Sequence, residues 1–441
     1  MGFDSHVRIH PVSKKKILIL GAGFAGLRVA LDLAKQKSKI PDHEIVLVDK
    51  RDVHIYTPDL YEIATAFIPK IAEECLSQLK ETVAIKIRTL IRGKPITFLQ
   101  DKAVKWDPAK KIITLRKHGK LSYDYLVLAL GSVSNYYNIP GLEQFSYPLK
   151  TVKHAIGIQC DLDHYFQYLW KENRKKAVNL VIGGGGATGV EFGGELPRYV
   201  DKLCQKYQYP REKVRITLIQ ATNELVGAGE RFSKRIQKRL EKAGVAVKLN
   251  TLITSAYAGE ISVRNFSLIP PFKKVPKEAK LFCDMLIWAG GVKPHPFLLR
   301  QKLKAEKTGA IEVEKNLRAK NFSNVFAAGD MAHFIDSKTK KIAPLLAQVA
   351  FAQGAVVAHN IVAALTGGDL KSYRLKIKGV IIPVAGKYAI FKAGTGRRAY
   401  GGFIFWILRR LIDLYYAMSI MPPLKAFAKW WHATNIFVKN D

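Results

Sequence analysis

Apolar and polar positions along the chain follow two periods. Residues 16–20 carry the unbroken apolar run Ile17-Leu-Ile-Leu20, as expected for a parallel strand covered on both faces. After a glycine-rich turn, residues 27–34 repeat apolar positions at helical spacing, and residues 44–48 form a second apolar strand. The same order returns in residues 178–182, 190–196 and 214–219. The charged stretch from Arg198 to Lys213 predicts a solvated helix and loop before the last of these. Residues 123–131 and 284–291 each predict a strand that runs into glycine, and residues 324–330 a short strand ending in Gly329-Asp330. Residues 342–368 carry no formal charge and are long enough to cross a bilayer. Pro344, Gln348, Gln353, Gly354, His359 and Asn360 would be costly in lipid, so this stretch predicts a helix buried in a protein core.

Beyond Gly367-Gly368 the pattern changes. Residues 380–386 and 388–391 predict a hairpin. Arg409, Arg410 and Asp413 form a narrow polar stripe on an otherwise apolar helix that ends before Pro422. In the last segment Leu424, Phe427, Ala428 and Trp431 share one helical face, with Lys425, Lys429 and His432 on the other. A Trp-rich apolar face opposite a basic one predicts a helix lying in a membrane interface, with the tryptophans and Tyr415-Tyr416 at headgroup level. The charges at 409, 410 and 413 argue against a full span.

The two turns have the same form. Gly21-Ala-Gly23-Phe-Ala-Gly26 and Gly184-Gly-Gly186-Ala-Thr-Gly189 are both G-x-G-x-x-G between a strand and a helix. Such glycines allow a tight turn, close approach of a pyrophosphate and close packing of helix on strand, and the helix start offers amide donors to the phosphates. The first unit's second strand ends in Asp49, where a carboxylate accepts bonds from a ribose diol. The second ends in Gln220, which can bond either a diol or a 2′-phosphate, so this residue leaves NADH and NADPH both open. The pattern predicts an α/β chain with two Rossmann-like dinucleotide-binding domains and a C-terminal membrane-docking region.

Charge and cysteine content narrow the setting. The 441 residues hold 71 Lys plus Arg against 36 Asp plus Glu, a net charge of +35. An excess of this size attracts polyanions, whether nucleic acid, an anionic membrane or a phosphorylated cofactor. Cys75, Cys160, Cys204 and Cys283 form no C-x-x-C pair, so neither a metal site nor a disulfide framework is expected, and a reducing compartment follows. Met1 to Ser13 show no apolar run or small-residue cleavage site of a secretory signal.

The order of elements resembles the flavoprotein family with two dinucleotide-binding domains. Several motifs resemble its type II NADH:quinone oxidoreductases, single-chain respiratory enzymes that do not pump protons. These are Val53-His-Ile-Tyr-Thr-Pro-Asp-Leu-Tyr61, Gly184-Gly-Gly-Ala-Thr-Gly-Val-Glu191, Ile287-Trp-Ala-Gly-Gly-Val-Lys-Pro294, Gly329-Asp-Met-Ala332 and Ala347-Gln-Val-Ala350. The resemblance covers residues 14–365 well and the remainder more loosely. It implies an FAD domain in two parts, 14–150 and 286–366, an inserted NAD(P)H domain at 151–285, and a docking region at 367–441. FAD would contact Gly21, Gly23, Phe24, Ala25, Gly26, Asp49, Lys50, Gly131, Gly329, Ala347 and Gln348, with Asp330 on the ribityl chain. NAD(P)H would contact Gly184, Gly186, Ala187, Thr188, Gly189, Gln220 and Gly290, with Glu191 beside the nicotinamide.

Two residues carry the chemistry that the resemblance implies. Glu191 would orient the carboxamide or relay a proton, and Gln348 would bond a quinone carbonyl. The family's second glutamine, one helical turn on, is Ala352 here. Gln353 follows it, turned about 100° around the helix. His359 reads as a buried structural histidine. The implied partners are a quinone and an anionic membrane surface, with the protein peripheral on the cytoplasmic face of the cell membrane and free to form a homodimer. Alternatives are a soluble NAD(P)H oxidase or ferredoxin-type reductase of the same fold and a polyanion-binding flavoprotein. No nucleic-acid-binding motif supports the last. A sulfide:quinone oxidoreductase would need a redox cysteine late in the chain, and none follows Cys283.

Overall fold

The computed structural model describes residues 15–69, 73–265, 278–300, 309–394, 396 and 398–440. The expectation about residues 1–13, and the domain start at 14, lie outside them. The chain forms two compact units, each assembled from separated segments.

The first unit runs to His54 and adds residues 86–132 and 294–375. Its core is a five-stranded parallel sheet in the order Val325–Ala327, Tyr125–Leu128, Lys15–Leu20, His43–Asp49, Ile96–Gln100. The apolar runs read from the sequence fill this sheet, and Ile17 to Leu20 have no solvent exposure. Helix Phe24–Lys35 packs closely on helix Ala347–Thr366. Gly354 permits that approach, since a Cβ there would lie 2.6 Å from the Ala25 carbonyl oxygen. The Ala347–Thr366 helix is long and apolar enough to cross a membrane, yet most of it is buried in this unit, including Gln353 and Asn360. The Asn360 amide donates to the carbonyls of Asn316 and Lys371, which removes the cost of burying it. His359 is exposed, against the expectation of a buried histidine.

The second unit holds residues 55–85, 133–293 and 376–441. Its parallel sheet has the order Tyr147–Pro148, Met285–Trp288, Val178–Gly183, Val214–Ile219, Val245–Lys248. These boundaries differ from those expected at 150/151, 285/286 and 366/367. Tyr147–Pro148 is a strand of this sheet, and the 55–85 segment is tied to residues 409 and 410 near the C-terminus by buried ion pairs. Helix Ala187–Lys206 continues without a break through Pro197, so the helical part of the charged stretch is the end of this helix and not a separate one. The predicted hairpin is present as Gly379–Pro383 and Ala389–Ala393, antiparallel with Ile381 opposite Phe391, and Tyr400–Gly402 adds a third strand. Helices Phe403–Ile420 and Pro423–Asn440 follow.

Candidate functional site

In the first unit the glycine turn has the geometry that the sequence requires. Gly21 has φ +102°, and a Cβ on it would meet the Ala129 carbonyl oxygen at 2.2 Å. A Cβ on Gly26 would lie 1.9 Å from the Gly21 carbonyl oxygen, so helix and turn touch backbone to backbone. Gly23, just before the helix, has nothing within 4 Å of that position and no side-chain cap. The helix start is therefore open to an anion. Asp49 accepts the Ala22 amide through Oδ2 at 2.8 Å and the Arg51 amide through Oδ1 at 2.9 Å. Phe24 meets the buried His54 ring edge to face, and His54 Nδ1 lies 2.9 Å from the Ala22 carbonyl oxygen.

The late segments close on this turn. Gly329, at φ +66°, sits where a Cβ would come 3.5 Å from the Ala25 side chain. Ser132 Oγ donates to Asp330 Oδ2. The Gly329 amide donates to Gln353 Oε1 at 2.7 Å. Gln353 is 1% exposed, and its Nε2 has no hydrogen-bond partner among the described residues. Helical spacing puts Gln353 off the Gln348 face, yet its bond to Gly329 makes it part of the late turn. Ala347 and Gln348 open the same helix, with Gln348 exposed. Gly131 has φ +70° with open space around it, and Lys50 is exposed. The open position at Gly23, the orphaned Gln353 amide and the Asp330 carboxylate fit a phosphate-containing, hydrogen-bonding group such as FAD.

The second unit repeats the geometry. A Cβ on Gly189 would lie 1.9 Å from the Gly184 carbonyl oxygen, and one on Gly184 would lie 2.4 Å from Gly290 Cα. The glycine loop and the end of the Met285–Trp288 strand thus meet. Gly186 is open like Gly23, and Ala187 and Thr188 begin the helix after it. Gln220 Oε1 accepts the Gly185 amide at 2.7 Å, while its Nε2 donates to Thr222 Oγ1 at 2.6 Å and to the Glu224 carbonyl at 3.1 Å. The geometry fits a second dinucleotide.

Glu191, in the first turns of that helix, is 8% exposed and belongs to a buried charged cluster that motif reading did not assemble. Arg409 donates to Asp59 Oδ1 at 2.9 Å and to Asp413, and Arg410 donates to Glu62. Tyr56 donates its hydroxyl to Asp413 Oδ1 at 2.6 Å, and Tyr61 to Glu62 Oε1 at 3.1 Å. Arg410 also stands 5.4 Å from the Trp406 ring centroid and 5.3 Å from that of Phe437. Burial pushes Glu191 up to about 8; Asp59 and Glu62 add to the rise, and Arg409 and Arg410 oppose it. The one available signal was the polar stripe at 409, 410 and 413, whose partners lie some 350 residues away.

Beside this cluster a small, partly open pocket is lined by Tyr56, Asp413, Tyr416, Lys429, Trp430 and Phe437 among others. Lys429, expected on the outward basic face, turns inward and donates Nζ to the carbonyls of Glu81 and Ala84. Burial lowers it to about 8. The four cysteines are free thiols. Burial raises Cys204 to about 11 and Cys283 to about 12, which removes them as ready nucleophiles.

The chain is similar to several known proteins. The sequence profile of the pyridine nucleotide-disulphide oxidoreductase family matches residues 15–354. The type II NADH:quinone oxidoreductase of Staphylococcus aureus is 28% identical over 396 residues, covering 86% of this chain and 93% of that one. Among solved structures, NDH2 from Plasmodium falciparum in complex with NADH superposes with a TM-score of 0.81 at 17% identity, over 97% of this chain and 98% of that one. The sulfide:quinone oxidoreductase of Aquifex aeolicus superposes at 0.72 with 19% identity, over 92% and 91%. These structural likenesses concern the fold.

Proposed function

The chain belongs to the pyridine nucleotide-disulphide oxidoreductase family, and from that premise we propose that it works as a type II NADH:quinone oxidoreductase with FAD in the first unit and NADH in the second. The observation that carries this reading is the pair of cradles in one chain. In each, the third glycine rests on the carbonyl of the first, and the middle glycine is left open. The quinone comes from the Staphylococcus aureus relative, which matches over nearly its whole length. FAD, when bound, would supply the two-electron chemistry between nicotinamide and quinone.

The chain's own residues have defined tasks in this reading. Gly21, Gly23 and Gly26, with the start of helix Phe24–Lys35, would hold the FAD pyrophosphate, and Asp49 its ribose. Asp330 and Gln353 would bond the ribityl and ring region. Gly184, Gly186, Gly189 and Gln220 would hold the nicotinamide cofactor. Glu191 would carry a proton beside the nicotinamide, and Gln348 would bond the quinone head. A thiol relay has no support, because the four cysteines are free thiols with no disulfide partner and burial raises Cys160, Cys204 and Cys283.

The membrane contact in this reading is the C-terminal pair of helices. Leu424, Phe427 and Trp431 are exposed, as are Phe403, Ile404, Leu411 and Tyr415. Unsupported apolar patches of this kind mark interaction surfaces, and a net charge of +35 favours an anionic lipid face. The protein would sit peripherally on the cytoplasmic face of the cell membrane and move no protons across it. Steady-state NADH oxidation tests the function with a short-chain quinone, with oxygen alone and with added DNA. The expected result is a yellow protein with quinone-dependent turnover. A protein that stays colourless after incubation with FAD overturns the reading, and quinone-independent turnover favours an oxidase.

A further inference from the structure

Helix Phe403–Ile420 has two unlike faces. Phe403, Ile404, Leu411 and Tyr415 are exposed, whereas Arg409, Arg410 and Asp413 are sealed inside the second unit. Two guanidiniums therefore leave an apolar surface helix and end among Asp59 and Glu62. With Asp413 and Glu191, four carboxyl groups share two permanent positive charges.

We infer that Arg409 and Arg410 are positioning residues for Glu191, so that the C-terminal helix completes the charge surroundings of the nicotinamide-side acid and is not only a membrane contact. This rests on the role proposed above for Glu191. Three of the four carboxyls have direct partners: Asp59 on Arg409, Glu62 on Arg410 and Tyr61, and Asp413 on Arg409 and Tyr56. Glu191 has neither a hydrogen bond nor an ion pair among the described residues. Its charge state is set by what surrounds it. The charged and titratable groups that act on it electrostatically are Tyr61, Glu62 and Asp59 from the 57–64 segment, and Arg409 and Arg410 from the C-terminal helix. On its own helix Glu195 is tied elsewhere, accepting the Gly386 amide at 2.9 Å.

The arrangement has a physical consequence. Burial favours the neutral form of a carboxyl, and an adjacent guanidinium favours the ionised one. Both guanidiniums belong to one helix, so a displacement of that helix withdraws both together and leaves Asp59 and Glu62 as uncompensated charges beside Glu191. Trp430 of the last helix fastens this arrangement, donating Nε1 to the Arg410 carbonyl at 2.7 Å. A lipid surface that holds the two helices would thus act on the acid through two named side chains.

The test uses the full-length, flavin-loaded protein and two readouts. One is the pH profile of NADH:quinone turnover. The other is the carboxylic-acid infrared band that disappears in Glu191→Gln, titrated without substrate. Arg409→Gln should move the Glu191 transition upward by about 1 pH unit. Asp59→Asn should move it downward, and Arg409→Lys should return it toward the parent value. Opposite signs for the first two exclude general loosening of the unit, which would move both the same way. Unmoved transitions, or shifts of the same sign, overturn the inference. Should Arg409→Gln fail to fold, the absence of a downward shift in Asp59→Asn overturns it equally. If Glu191→Gln keeps the parent pH profile, the proposed role of Glu191 falls, while the infrared titration still decides whether the arginines govern that carboxyl.

Discussion

Gln220 Oε1 accepts the Gly185 amide at 2.7 Å, and in the other unit Asp49 Oδ2 accepts the Ala22 amide at 2.8 Å. The two bonds are equivalent: each ties the middle of a glycine turn to the end of the neighbouring strand. They differ in charge. Gln220 also spends its Nε2 on Thr222 and the Glu224 carbonyl, so it holds the loop without placing a negative charge where a ribose 2′ substituent would lie.

Gln220→Glu keeps the acceptor for Gly185 and adds that charge. The ratio of kcat/KM for NADH over NADPH should rise about tenfold, the equivalent of about 1.4 kcal/mol. Comparing the two nicotinamides at fixed quinone checks this. An unchanged ratio places the discrimination at another residue.

The glycine turns predict separable losses. Gly26→Ala puts a Cβ 1.9 Å from the Gly21 carbonyl oxygen, and Gly189→Ala does the same against Gly184. Backbone on both sides leaves no side chain to give way. The first variant should purify with little or no flavin. The second should keep its flavin and raise the KM for NADH at least tenfold. The ratio of flavin to protein absorbance, with steady-state kinetics, distinguishes them. Loss of flavin in both would argue against two independent cradles.

The cradles were legible in the sequence because their chemistry is local. Strand, turn, helix and second strand lie within 35 residues in the first unit, Lys15 to Asp49, and 42 in the second, Val178 to Ile219, and glycine spacing reports backbone contact directly. Gln353 is less legible, because helical geometry alone separates it from Gln348. Its bond to the Gly329 amide depends on a turn 24 residues earlier. The charged cluster around Glu191 was less visible still. Arg409 and Arg410 form only a narrow polar stripe on an apolar helix in sequence, and the fold brings them to Asp59 and Glu62. Lys429 was misplaced for a related reason. Ala426, Lys429, Trp430 and Phe437 form the inward face of the last helix, so its aliphatic stem shares a wall with aromatic neighbours.

Glu191 should leave a signature in stability against pH. Its folded value of about 8 lies above the ordinary 4.5, with burial the main cause. The folded state therefore holds a proton that the unfolded chain has already released at intermediate pH. The stability contributed by the protonated group is full below 4.5 and is lost as pH rises through about 8. Glu191→Gln removes this dependence. The difference in Tm between variant and parent should be flat in acid and should move in favour of the variant up to about pH 8. Turnover should fall while the flavin remains bound. A constant Tm difference across that window would show that Glu191 titrates normally.

Membrane docking is best tested by point substitution rather than truncation. Removing residues 402–441 would delete Arg409 and Arg410 and take from Asp59 and Glu62 the guanidiniums that balance their charge. Stranding a buried charge costs about 3–5 kcal/mol, so such a truncation would lose membrane contact and fold together. Leu424 is 87% exposed, and Phe427 and Trp431 lie on the same face. Replacing all three with Glu removes the apolar contact and reverses the local charge, while Ala426 and Phe437 keep the helix seated on the unit. The triple variant should stay in the supernatant when vesicles containing anionic lipid are sedimented, whereas the parent pellets. Its Tm should match the parent, and its turnover with a short-chain, water-soluble quinone should survive. Turnover with a long-chain quinone held in vesicles should fall at least tenfold. Undiminished co-sedimentation would move the docking surface elsewhere, the exposed side of helix Phe403–Ile420 being next to examine with Ile404→Glu and Leu411→Glu.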